Sequence, residues 1–340
     1  MLYYAAPMEG FTDRVWRQTH QKWFGAQGAA DRYYAPFISP PENRVLIKKK
    51  MAELAPEANP GAPVIPQLLA KDGELAAWMI GQLRALGYTE VNLNLGCPAG
   101  TVTAKGKGSG MLRDLAKVDA FLDGVFSHAE GPVSVKTRLG VEKPEEFAAI
   151  LEIYSRYPIS ELTIHPRVMK QLYRGQADRE ALAAYLPACT APVCYNGDLF
   201  SVSDTERFLV EYPDADDLMF GRGMLIDPAL VMRLRAKSAD PAGKNAAKKL
   251  RLENKSTVWE DAAKRVSDIR DFYGRLAEDY AAVLSGERDV LFKMKELWSW
   301  QGQLFEGSEK YLKKIRKAQK LTEYKSAVAA LFADCPIKNA

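Results

Sequence analysis

Val91-Asn92-Leu93-Asn94-Leu95-Gly96-Cys97-Pro98, continuing through Val102 to Gly106-Lys107-Gly108-Ser109-Gly110-Met111-Leu112, is the stretch around which the rest of the chain can be ordered. Apolar and polar residues alternate from Val91 to Leu95 and then give way to glycines, the pattern of a buried strand ending in a backbone-rich loop. One cysteine therefore stands at the C-terminal tip of a strand. A thiol there can donate a proton or act as a nucleophile; it can equally fill a tight turn as a small buried hydrophobe.

Across the first two thirds of the chain, short apolar runs recur about every thirty residues, each followed by a stretch of helical period. The pattern predicts strands at Leu2 to Ala6, Tyr33 to Phe37, Val64 to Leu68, Glu90 to Leu95, Val133 to Lys136, Leu162 to His165, Val193 to Asn196 and Asp217 to Phe220. Helices are expected near Asp13 to Phe24, Asp72 to Leu86, Leu115 to Ala129, Pro144 to Arg156 and Ser203 to Glu211. Alternating units of this kind predict a parallel (β/α)8 TIM barrel, with a doubly wound sheet as the alternative because the second unit is irregular. The barrel domain is expected over residues 1–237. Ser238-Ala239-Asp240-Pro241-Ala242-Gly243-Lys244 reads as a break opening a linker or charged connecting helix over 238–256, and a smaller all-helical domain follows over 257–340.

Composition sets the outer bounds. At 340 residues the chain exceeds what one hydrophobic core usually serves, and 47% hydrophobic with 26% charged residues is ordinary for a soluble protein. No apolar run approaches the roughly 18 residues a membrane span needs, and the start lacks the charged region of a signal peptide, so a cytoplasmic location is expected. Cys97, Cys189, Cys194 and Cys335 show neither CxxC spacing nor a disulfide framework, and His20, His128 and His165 lie far apart, which argues against a metal site. Charge is uneven: residues 1–232 hold 24 Lys and Arg against 28 Asp and Glu, and the remainder 23 against 15. A basic helical tail suggests a polyanionic partner or a merely solvated face.

In a barrel, the C-terminal tips of different strands converge on one face. Those tips carry Pro7-Met8-Glu9-Gly10, Gln67, Asn94 with Cys97, Lys136 with Arg138, His165 with Arg167, Asn196-Gly197-Asp198, and Gly221-Arg222-Gly223. Each alone reads as easily as a solvated side chain or a glycine turn; together they predict one site. The last two loops suit a phosphate, with glycines allowing close backbone approach and Arg222 adding a bidentate donor. Gln67, Lys136 and His165 would then offer an amide, a cation and an imidazole to a ring system, as a flavin requires.

In Ala6-Pro7-Met8-Glu9-Gly10, the Cys97 motif, Val135-Lys136-Thr137-Arg138-Leu139-Gly140, His165-Pro166-Arg167 with Gln171, Tyr173 and Gly175, Asn196-Gly197-Asp198 and Gly221-Arg222-Gly223, the chain resembles the tRNA-dihydrouridine synthases, FMN enzymes that reduce uridines in tRNA. The resemblance implies that Pro7, Met8, Glu9, Gln67, Lys136, His165, Asn196, Gly197, Asp198, Gly221 and Arg222 hold FMN. It makes Cys97 the proton donor and turns Asn94, Arg138 and Arg167 toward the tRNA. NADPH or NADH would serve as reductant, and a uridine receiving hydride at C6 and a proton at C5 would be the substrate. The Glu9 form of the opening motif is similar to the bacterial branch acting on the D-loop uridine at position 16. Two positions depart from the family pattern: Arg179 stands where an aromatic is usual, and Met111 replaces a common aliphatic.

The tail resembles the family's RNA-binding domain. Lys310, Lys313, Lys314, Lys317 and Lys320 recur at spacings of three and four and form a stripe on one helix face, with Lys313, Lys314 and Lys317 the expected tRNA contacts. Trp298, Trp300 and Tyr311 read as core. The implied protein is a monomer with no membrane and no metal. Two other readings stay open: an FMN barrel acting on a small molecule, in the manner of a dihydroorotate dehydrogenase or ene-reductase, and an RNA-binding protein without catalysis.

Overall fold

The computed structural model describes residues 1–238 and 262–338; all but the first residue of the linker expected over 238–256 lies outside them. Nine parallel segments make one sheet: β1 (Tyr3–Ala5), β2 (Arg32–Tyr34), β3 (Val64–Ile65), β4 (Gln67–Leu68), β5 (Val91–Leu95), β6 (Val133–Gly140), β7 (Leu162–Val168), β8 (Val193–Tyr195) and β9 (Asp217–Phe220). Their order is β3-β2-β1-β9-β8-β7-β6-β5-β4. The two ends of that order are the halves of one expected strand, Val64 to Leu68, divided at Pro66, which has no N–H to give to a ladder. β3 pairs with β2 and β4 with β5, so the sheet comes round on itself as an eight-strand TIM barrel whose third strand is broken.

All eight expected strands are present. β6 and β7 run further than periodicity suggested, because Arg138 pairs with His165 and Gly140 with Val168 across an irregularity in register. In β5, Val91, Leu93 and Leu95 are fully buried, and the residues between them, Asn92 and Asn94, are buried too. Both faces of a barrel strand are covered, so alternation here separates an apolar outer face from a polar inner one. The helices Gly73–Ala85 and Leu115–Phe126 begin under the side chains of Asp72 and Asp114, which accept from Leu75 and Lys117 N–H. These two helices approach closely at Gly73, where a Cβ would stand 2.5 Å from the Phe121 carbonyl.

The chain divides into two compact units. The first, residues 1–14, 31–198 and 214–220, contains every strand. Around Glu161, just before β7, Tyr34 donates to its carboxyl at 3.0 Å, and the Tyr4 hydroxyl stands 2.8 Å from both Glu161 and Asp217, with one proton to share between them. Burial raises the Glu161 carboxyl above its ordinary range, and burial together with that carboxylate raises both phenols.

The second unit, residues 15–30, 199–213 and 221–340, is built of helices over its described residues, with one isolated antiparallel bridge between Phe305 and Ile337. Its core is a run of rings in which His20 stacks on Trp16 at 4.9 Å, Phe24 meets Phe272, Tyr273 meets Trp298, and Trp298 meets Phe305. Tyr311 and Trp298 are core residues. On the helix Glu309–Lys317, Tyr311 and Ile315 face inward, while Lys313, Lys314 and Lys317 are exposed. Among the described residues no helix is long and apolar enough to cross a membrane.

His20 is fully buried, and loss of hydration pushes its imidazole down to about 4 although Nε2 donates to the Pro228 carbonyl at 2.8 Å. The unfolded chain therefore binds a proton at His20 that the folded chain refuses between pH 6.5 and 4. Stability should fall as pH drops through that window, by on the order of 3 kcal/mol if His20 acted alone. Urea unfolding at pH 7, 5.5 and 4 should show this loss, and His20→Phe should remove that part of the slope.

Candidate active site

Cys97 sits just beyond the end of β5, half-buried. Asn94, near the end of the same strand, turns its Oδ1 back to accept from the N–H groups of Gly96 and Cys97 at 3.1 and 2.8 Å. This Asx arrangement redirects the chain sharply after the strand. The glycine loop closes from the other side: Ser109 donates to the Cys97 carbonyl through both N–H (3.1 Å) and Oγ (2.9 Å). Gly108, at φ +57°, lies so close that a Cβ would be 2.7 Å from that carbonyl oxygen. The glycines seen in the sequence are therefore the seat of the cysteine. Burial raises the Cys97 thiol above its ordinary range, against the pull of the Ala99 N–H and of Arg138 and Lys136. A thiol so raised holds its proton at neutral pH and has it available to give.

Lys136 follows on β6, paired in register with Asn94. Desolvation and the nearby Arg138 push its ammonium down to about 8, while Cys194 and Cys97 act the other way. No carboxylate pairs with it among the described residues. A partly dehydrated cation of this kind fits a ligand that carries or develops negative charge. Arg138 is 2% exposed; its Nε donates to the Gly96 carbonyl at 3.0 Å and its Nη1 to those of Val168 and Leu172, with the Tyr173 ring 5.4 Å away. Burial lowers its guanidinium to about 10. Arg138 thus ties the Cys97 loop to the loop after β7.

Arg167, expected toward the substrate, has all five N–H donors engaged. Nη1 meets Asp198 Oδ1 and His165 Nε2 at 2.9 and 3.0 Å, Nη2 meets Asp198 Oδ2 and the Gly175 carbonyl at 2.6 and 2.7 Å, and Nε reaches the Arg174 carbonyl at 3.4 Å. At 1% exposure it positions its neighbours. An arginine can only donate, so His165 Nε2 accepts and the imidazole proton stands on Nδ1. Asp198 takes a left-handed φ of 45° and also accepts from Ala177 N–H at 2.8 Å. Asn196 donates to the Met219 carbonyl at 2.7 Å, tying the loop after β8 to β9.

Met8 packs against the buried cluster of Tyr4, Ala6, Tyr34, Ile65, Cys194 and Met219, and Thr12 holds its N–H at 2.9 Å. Pro7 is half-buried and Glu9 exposed in the same turn. Gln67 on β4 is fully buried; it accepts from Asn94 at 2.8 Å and donates to Asn92 at 2.7 Å. The first unit therefore brings Gln67, Asn94, Cys97, Lys136 and Arg138 together at one end of the barrel, with His165, Arg167 and Asp198 joined to one another in the loops that follow. Gly221 and Arg222 belong to the second unit, where Gly221 precedes the short helix Arg222–Ile226 and the Arg222 guanidinium lies 4.7 Å from the Phe200 ring. Their expected part in holding a phosphate rests on the sequence resemblance. Asn92, Ser134, Thr12 and Ser109 escaped the reading of strand tips. The polar residue inside the alternation Val91 to Leu95 was the available signal for Asn92.

The donor set suits a flavin: an amide at Gln67, a cation without a counterion at Lys136 and an Nδ1–H at His165 match acceptors along a ring edge and charge on the reduced ring.

A family model described as dihydrouridine synthase matches residues 4–329. A probable tRNA-dihydrouridine synthase 1 of Synechocystis is 33% identical over 66% of this chain and 62% of its own length. The tRNA-dihydrouridine synthase B of Pseudomonas putida is 30% identical over 64% and 63%, so this chain covers less than two thirds of both relatives. A tRNA-dihydrouridine(16) synthase of Aquipseudomonas alcaligenes is 30% identical over 68% of this chain and 74% of its own. Among solved structures, a 2-naphthoyl-CoA reductase complex shares the fold, with a TM-score of 0.51 at 12% identity over 68% of this chain and 49% of that one. With the model spanning every strand and most of the described helical tail, the chain belongs to the dihydrouridine synthase family.

Proposed function

We propose that this protein reduces a uridine of tRNA to 5,6-dihydrouridine, with FMN as its cofactor and NADPH or NADH as reductant. The observation that carries the reading is a partly buried thiol, Cys97, seated at a barrel strand end near Lys136, a cation with no carboxylate partner among the described residues. FMN, when bound, supplies the hydride for C6 of the uracil. Gln67, Lys136, His165 and Asn196 to Asp198 hold the cofactor, with Pro7, Met8 and Glu9 forming the turn above β1. Lys136 offsets negative charge on the reduced ring. Cys97 gives its proton to C5, where hydride addition leaves enolate-like charge, and Arg138 fixes the loop that carries the thiol. Arg167 acts by orienting His165 and Asp198. The barrel domain over 1–237 carries the chemistry, and the helical domain over 257–340 holds the RNA. The D-loop uridine at position 16 is the target we infer, on the Glu9 motif and the family relatives.

Reaching a base inside a folded tRNA requires turning it out of its stack, at a cost of a few kcal/mol, which phosphate contacts can offset. The exposed lysines of Glu309–Lys317 provide a cationic stripe for such contacts, and its charge favours RNA over a small-molecule substrate. Mapping dihydrouridine by mass spectrometry in tRNA treated with the purified protein and NADPH tests the whole reading; unmodified tRNA would refute it.

Two variants test its parts. Cys97→Ala should keep FMN and nicotinamide oxidation but lose about 10²- to 10⁴-fold in single-turnover tRNA reduction, the usual worth of a positioned general acid. Reversing Lys313, Lys314 and Lys317 to Glu should weaken tRNA binding and lower its log-log salt slope by about 0.7 to 0.9 per lost phosphate contact, with nicotinamide oxidation unchanged.

A further inference from the structure

The buried amides beneath Cys97 form a chain with a single direction. Gly96 and Cys97 N–H both donate to Asn94 Oδ1, at 3.1 and 2.8 Å, and occupy its two lone pairs. Asn94 Nδ2 donates to Gln67 Oε1 (2.8 Å), Gln67 Nε2 to Asn92 Oδ1 (2.7 Å), and Asn92 Nδ2 to Ser134 Oγ (3.0 Å). Ser134 Oγ then donates to Glu90 Oε1 at 2.7 Å. Two groups of fixed polarity close the ends: backbone N–H, which can only donate, and a carboxylate, which can only accept. Arg32 holds the other Glu90 oxygen at 3.1 Å. Every amide between them has one allowed orientation, since flipping any one sets donor against donor.

The consequence falls on Asn94. Its oxygen is saturated, so the second Nδ2 hydrogen is all it can offer to a molecule at the barrel mouth. We propose that Glu90, Ser134, Asn92 and Gln67 form a polarity relay that locks Asn94 as a donor, making it a selector for a pyrimidine with a carbonyl at the edge it faces, against one with an exocyclic amine. This rests on the reading of a tRNA pyrimidine as substrate and adds the basis for choosing uracil over cytosine. Asn94 selects; Glu90, Ser134 and Asn92 are positioning residues that act through it.

The lock can be reversed on paper, and that supplies the test. In Asn94→Asp the new carboxylate can only accept, so Gln67 must turn its Nε2 upward and Asn92 must follow. Ser134 must then donate to Asn92, leaving its oxygen against the Glu90 carboxylate. Glu90→Gln removes that clash by offering Nε2–H to Ser134. Urea unfolding of the purified chain should therefore show coupling across the barrel: Asn94→Asp alone should destabilise, and the double variant Asn94→Asp with Glu90→Gln should recover stability relative to it. The loss of the Arg32 contact is common to both arms containing Glu90→Gln and cancels in the cycle. Strictly additive effects would overturn the relay, and this measurement needs neither flavin nor RNA.

The selector is read separately, in single-turnover reduction of tRNA transcripts carrying uridine or cytidine at the target position. The parent should prefer uridine, and Asn94→Asp should lower that preference by about tenfold or more, one misplaced hydrogen bond's worth. An unchanged ratio would overturn the selector role. Failure of the parent to reduce any tRNA uridine would overturn the substrate reading and the selector with it, while the stability cycle would still decide the relay.

Discussion

A polar side chain that points into a closed barrel finds its partners inside the barrel or goes without, and each buried group left unsatisfied costs about 1–3 kcal/mol. This constraint organises the first unit of the molecule. Gln67, Asn92, Asn94 and Ser134 are all buried, and each meets the constraint through the next. The same condition gathers Tyr4 and Tyr34 on Glu161, the residue before β7. The cysteine loop is fixed as a by-product, because the amide that ends the chain takes the N–H groups of Gly96 and Cys97. An ordered interior thus supports a reactive group at the surface of the barrel.

Electrostatics at the other end run the opposite way. Among the described residues, Arg167 alone of the three cations on β6 and β7 has a carboxylate, Asp198 at 2.6 Å. Arg138 is held by backbone carbonyls and Lys136 by no counterion among the described residues, and burial lowers both from their ordinary values. Holding a cation partly dehydrated without a counterion weakens the fold, and sites where that happens are functional candidates for this reason. The thiol shares the environment, but burial outweighs the neighbouring cations, so Cys97 stays protonated where a more exposed cysteine beside two cations would be drawn toward thiolate. The proposed role of Cys97 needs this balance, since a group that is to give a proton must first keep it.

Periodicity was enough to find all eight strands, since a chain covered on both faces must alternate outer apolar with inner residues and punctuate the turns with glycine and proline. The motifs at Cys97, Lys136, His165 and Asn196 to Asp198 were legible for a related reason: each lies where a strand ends, and strand ends follow directly from the alternation. Tyr311 and Trp298 read as core from the general tendency of aromatics to be buried and are so, whereas Trp300, which reads the same way, is only half-buried. Beyond that, local pattern had less to say. The break of the third strand at Pro66, which carries both edges of the sheet, is visible as a proline but not as the place of closure, because closure depends on which strands become neighbours.

Side-chain partners belong to the same class. Arg167 looked like a substrate contact, standing two residues beyond His165 at a strand tip; tertiary folding brings Asp198 and two loop carbonyls to it and leaves no donor free. Asn92 and Ser134 looked like ordinary interior residues, and only the register Gln67 to Asn92 to Ser134 across three strands makes them a directed chain. The sequence by itself determined the barrel, the cysteine at its mouth and the basic helical tail, since these follow from periods and residue types along one strand or helix. The tertiary structure alone decided which polar groups donate and which accept, because hydrogen-bond direction is set between strands distant in sequence and by the fixed polarity of whatever lies at each end.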